Sequence, residues 1–110
     1  MLLILISVII PRDYNRKGKD MFRVWGKIFT ENRLVKDTVI CIDDHELSRT
    51  NKVYKALHDI CQEFDLAEPI WLENNKNTFI CHARTRFTQD NFIEHIDFDY
   101  LDFHIIEEDY

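Results

Sequence analysis

"FRVWGKIFTENRLVKDTVICID", residues 22–43, is the stretch whose reading decides the fold. From Phe22 to Thr30, Val24, Gly26 and Ile28 fall on one side of an extended chain and Arg23, Trp25, Lys27 and Phe29 on the other. That two-residue period is the mark of a strand. "ENR", residues 31–33, is a short polar turn, and the run from Leu34 to Asp43 is dense in Thr38, Val39, Ile40 and Ile42, the β-branched chemistry of a second strand. Two such runs around a short turn predict an antiparallel hairpin.

Beyond the hairpin the period changes. Val53, Leu57, Ile60, Cys61 and Phe64 recur at helical spacing over about residues 50–64, with Lys52, Lys55, Asp59, Gln62 and Glu63 on the other side. Ser48 or Thr50 can cap the start, Lys55 and Asp59 form an i,i+4 pair, and Pro69 lies past the end. Asn74 or Asn75 caps a short helix that would turn Phe79, Ile80 and Ala83 inward, and Thr88 caps a further single turn. "IDFDYLDFHIIEED", residues 96–109, alternates in two opposite phases, which predicts a last strand with a β-bulge between Tyr100 and Leu101. The expected fold class is α+β: a three-stranded antiparallel sheet, hairpin plus C-terminal strand, packed against one main helix and one or two short ones.

Composition agrees with one globular domain: 110 residues, 45% hydrophobic, 31% charged, with 8 Phe, 4 Tyr and 2 Trp for a dense core. With only 2 Gly and 2 Pro there is neither a flexible linker nor a Gly-rich phosphate loop. The formal charge is −6, and residues 97–110, with Asp97, Asp99, Asp102, Glu107, Glu108, Asp109 and no Lys or Arg, account for all of it. That balance argues against nucleic acid as partner, since such affinity rests on Lys and Arg at phosphates. It reads as a solvated acidic edge, or as the surface of an acidic inhibitor that mimics nucleic acid.

Residues 1–20 stand apart. "MLLILISVII" is apolar but far below the roughly 20 residues that span a bilayer, so no transmembrane segment is expected and contact with a membrane surface is the most that residues 1–10 offer. The purine-rich coding implied by "RKGKD" before Met21 resembles a translated ribosome-binding site, and the expected organisation is a leader over 1–20, outside a single α+β domain over 21–110, with Met21 as the natural start.

Cys41, Cys61 and Cys81 are odd in number and flanked by apolar residues, which reads as three reduced, largely buried thiols in a cytoplasmic protein. His58, Cys61, Cys81 and His82 invite comparison with a zinc set, but Cys61 belongs to the apolar stripe and adjacent Cys81 and His82 point apart. Cys81 with His95 or His104 lacks an oxyanion loop, and Asp43, Asp44 and Glu46 read as a solvated loop tip rather than a magnesium site. No motif calls for a cofactor.

"HARTRFTQDNFIEHIDFDY", residues 82–100, is the stretch richest in recognition chemistry. Arg84 and Arg86, with nearby Trp71 and His82, make a candidate site for a phosphate or another anion; the competing reading pairs both arginines internally with Asp90 and Glu94. Together with "IWL" before it and "IIEED" after it, this stretch resembles short bacterial proteins of unassigned function that begin near the position of Met21; the resemblance covers 21–109 and implies no activity. The leading functional expectation is a small non-catalytic binding or adaptor protein that works through a protein partner or a self-associating sheet edge. A small anion-binding domain or enzyme built on Arg84 and Arg86 is the alternative.

Overall fold

The computed structural model describes residues 21–108; the reading of residues 1–20 as a leader falls outside them. The hairpin forms as expected, from β1 (Phe22–Thr30) and β2 (Arg33–Ile42). Its connection is the two-residue turn Glu31–Asn32, both at positive φ (53° and 65°), the combination whose twist suits a tight hairpin. Leu34 pairs with Phe29 and Lys36 with Ile28, so Val35 is the extra residue of a bulge.

The main helix, α1 (Arg49–Glu63), starts at Ser48, whose hydroxyl accepts a hydrogen bond from the Asn51 amide at 3.1 Å. Its buried stripe is Val53, Ala56, Leu57, Ile60 and Cys61. The short helix α2 (Glu73–His82) begins one residue before the expected caps. Phe79 turns inward, but Ile80 stays 80% exposed, contrary to expectation. The turn that Thr88 starts is a 3₁₀ helix, Gln89–Asn91.

The sheet has four strands rather than three, in the order β2-β1-β4-β3 with every neighbour antiparallel. The additional strand is β3 (Arg84–Phe87), an edge strand too short to register as a periodic pattern. The last strand, β4 (Tyr100–Glu107), starts later than expected. Ile96 and Phe98 lie in the bends before it, so no bulge is needed at Tyr100; the irregularity falls at Ile106, because Val24 pairs with Ile105 and Arg23 with Glu107. β4 is a central strand, so two of the acids are not a solvated edge: Asp102 is fully buried and Glu107 pairs with Arg23, whereas Asp97 and Asp99, before the strand, are exposed and Asp99 accepts from the Glu31 amide at 2.7 Å. Asp102 therefore offers no surface charge with which to imitate a phosphate.

Register sets which side chains share a face. Val24, Gly26 and Ile28 lie beside Ile105, Phe103 and Leu101, and this face, with Phe22, Ile42 and Phe87, meets α1 and α2. Each large apolar side chain buried there contributes about 1.5–3 kcal/mol. Trp71, Phe79, Phe87 and Phe103 form an aromatic cluster with centroid separations from 5.1 Å (Trp71–Phe87) to 6.1 Å (Trp71–Phe103). On the opposite face Trp25 donates to Asp37 at 2.7 Å, Lys27 lies 3.9 Å from the Trp25 ring centroid, and Phe29 stacks on Tyr100.

Candidate functional site

A groove of about 410 Å³ runs between α2 and the edge strand β3. Local sequence explains why these two elements lie side by side. Ala83 follows α2 in the left-handed conformation (φ 56°, ψ 34°), its amide donating to the Phe79 carbonyl at 2.8 Å, and this reverses the chain directly into β3. The reversal makes the helical face of Asn74, Thr78 and His82 one wall. Arg84, Thr85 and Arg86 supply the other, and Thr88 closes one end. The lining residues are amide, hydroxyl, imidazole and arginine residues with no Asp or Glu among them, and the two guanidiniums reach to Asp102 and to the Tyr100 ring on the outer face of the sheet.

Asn75 holds this arrangement together. It is buried, and its amide nitrogen donates to the Thr85 hydroxyl and the Arg86 carbonyl, both at 2.9 Å. Its amide oxygen accepts from the Leu72 backbone at 3.1 Å and from the Asn91 side chain at 2.6 Å. Asn91 in turn donates to the Ile70 carbonyl at 2.7 Å and accepts from the Thr88 amide at 2.9 Å. Both buried amides are thus satisfied, and the helix start, the edge strand and the 3₁₀ turn are locked in register.

The two arginines share a face of β3 because they are two residues apart. Arg84 forks onto Asp102, Nε at 3.1 Å and Nη2 at 2.6 Å, and Lys27 Nζ stands 3.4 Å from the same carboxylate. Burial by itself would raise the Asp102 carboxyl; the Arg84 hydrogen bonds and the Lys27 charge outweigh it and hold the group below its ordinary range. Burial lowers Lys27 despite Asp102, whereas the hydrogen bond to Asp102 raises Arg84. His104 is lowered, first by burial and then by Arg84 and Lys27, which keeps its imidazole neutral. Arg86 is exposed, with its guanidinium carbon 4.5 Å from the Tyr100 ring centroid.

Neither arginine pairs with Asp90 or Glu94 among the described residues; Asp102 takes that role for Arg84, through a pairing that depends on β3 lying next to β4. Of the four residues singled out from sequence, His82, Arg84 and Arg86 are among those lining the groove. Trp71 does not: it stands in the aromatic cluster and lines a different concavity, between α1 and α2. Asn75, Thr85, Lys27 and Asp102 were missed. The spacing of Asn74, Thr78 and His82 at i, i+4 and i+8 was the one signal in the sequence that could have marked the helical wall.

The thiols differ from expectation. Cys61 is buried, its thiol pushed up to about 12 by burial, but Cys41 and Cys81 are exposed because they fall on the outer sheet face and the outer side of α2. His58 contacts Glu68 at 2.6 Å, and among the described residues no group of three or more His, Cys, Asp or Glu side chains is placed to hold a metal ion. No helix among them is long and apolar enough to cross a membrane. The chain matches no family model, no curated protein and no solved structure.

Proposed function

We propose that this protein is a small non-catalytic binding protein whose recognition site is the α2–β3 groove and whose ligand carries an anionic group, a phosphate or a carboxylate. The observation that supports this reading is the lining: two arginines and a histidine are among the residues around one concavity that includes no Asp or Glu, in a chain of net charge −6. Arg86 rests on Tyr100 through a ring contact that leaves its hydrogen-bond donors to the ligand. The working surface of a binding or adaptor protein would then be this groove rather than a free strand edge.

The test is an NMR titration of the protein with inorganic phosphate and, separately, with succinate. Saturable shifts are expected at Thr78, His82 and residues 84–88, with affinity reduced about tenfold or more in Arg86→Ala, as for loss of a charge-assisted hydrogen bond. Arg86→Ala is more informative than Arg84→Ala, which would also strand the buried Asp102. Absence of saturable shifts, or an affinity indifferent to Arg86→Ala, overturns the proposal.

A further inference from the structure

The face of α2 opposite the anion groove carries Lys76, Phe79 and Ile80, and together with α1 it bounds a second concavity of about 300 Å³. Its floor is aromatic. Trp71 stands edge-on to Phe79 (centroids 5.3 Å apart, 77°) and to Tyr54 (6.5 Å, 79°). Tyr54 on α1 and Ile80 on α2 both line it and are 54% and 80% exposed, so apolar surface remains in water on both helices. The ionisable groups of the lining, Tyr54 apart, are both cations: Lys76, one turn before Ile80 at the rim, and Arg49, which is joined to Glu108 at 2.9 and 3.1 Å. Glu108 offsets the Arg49 charge, so Lys76 is the cation left to complement a ligand, and a hollow lined by Trp71, Tyr54, Phe79 and Ile80 beside that ammonium suits an apolar body with a single negative charge.

We propose that the α1–α2 concavity is a second ligand site, which takes a small amphipathic anion such as an aryl carboxylate. The ring lies against Trp71 and between Tyr54 and Ile80, and the carboxylate meets Lys76. A volume of about 300 Å³ is on the scale of a small-molecule site. The site shares no lining residue with the α2–β3 groove, so the two readings stand or fall separately.

The experiment titrates the protein with naphthalene-2-carboxylate and with its neutral counterpart 2-(hydroxymethyl)naphthalene, following amide and indole resonances. Expected are saturable shifts at Tyr54, the Trp71 indole, Lys76 and Ile80, with the carboxylate bound more tightly than the alcohol. Lys76→Gln should weaken the carboxylate about fivefold, the scale of an exposed charge pair, and leave the alcohol unchanged. Ile80→Asp, at an exposed position that the core does not use, should abolish binding of the carboxylate, and Arg86→Ala should leave it unchanged. Equal affinity for acid and alcohol, indifference to Lys76→Gln, lack of saturation, or shifts that follow protein concentration without ligand, which would place a second copy in the hollow, each overturns the proposal.

Discussion

Gly26 on β1 lies directly under Ile60 of α1, and substituting it tests whether α1 packs as described. A Cβ at this position would lie 2.8 Å from Ile60 Cγ2, 2.9 Å from its Cδ1 and 3.2 Å from its Cγ1. Ile60 is fully buried and has nowhere to retreat. Forcing a methyl into such a contact costs about 1–3 kcal/mol. Against this, alanine loses less conformational freedom on folding than glycine, worth about 0.5–1 kcal/mol, and Gly26 has no positive φ to oppose the change. The net expectation for Gly26→Ala is a destabilisation of about 1–2 kcal/mol, or a fall in Tm of roughly 5–15 °C for a domain of this size. Ile60→Ala alone should cost about 2–5 kcal/mol through the cavity it leaves. In the double variant the new methyl occupies part of that cavity, so the combined cost should fall short of the sum by about 1–2 kcal/mol. Urea unfolding of the four proteins, followed by circular dichroism, measures all three quantities. A neutral or stabilising Gly26→Ala, or single-variant costs that add to within about 0.5 kcal/mol, would refute the packing of α1 over β1.

Three further outcomes are expected. Asn75→Asp keeps the size of a side chain that is 2% exposed but turns a donor facing the Arg86 carbonyl into an acceptor and buries a charge; urea unfolding should show a loss of about 3 kcal/mol or more. Glu31 holds φ at 53°, so Glu31→Gly should raise stability by about 0.5–1 kcal/mol in thermal unfolding, provided the backbone amide keeps its bond to Asp99. His104 has its pKa lowered below 6.5 in the folded chain, so between the two values the unfolded chain binds more protons; its contribution is full above the unfolded pKa and declines as pH falls through 6.5 toward the folded value. Comparing Tm at pH 7.5 and 5.5 should show a smaller drop for His104→Gln than for the parent protein.

What the sequence determined by itself is the local layer of this protein. β1, β2 and α1 are long enough for their periods to repeat several times, and the Ser48 cap and the Lys55–Asp59 pair, 3.1 Å apart, involve residues within one helical turn. That layer was legible. What only the tertiary structure decided involves partners far apart in the chain. β3 has four residues and hence too few alternations to be distinguished from a loop; it becomes a strand because β4 offers it a ladder. The partner of Arg84 is Asp102, eighteen positions on, rather than the nearer Asp90 or Glu94, because strand register and not sequence distance sets which charges meet. Trp71 lies close in sequence to the α2–β3 groove yet lines the other concavity, since α2 stands between the two. Gly26 reads as a gap in an alternating strand until α1 lies over it and Ile60 fills the space that a Cβ would need.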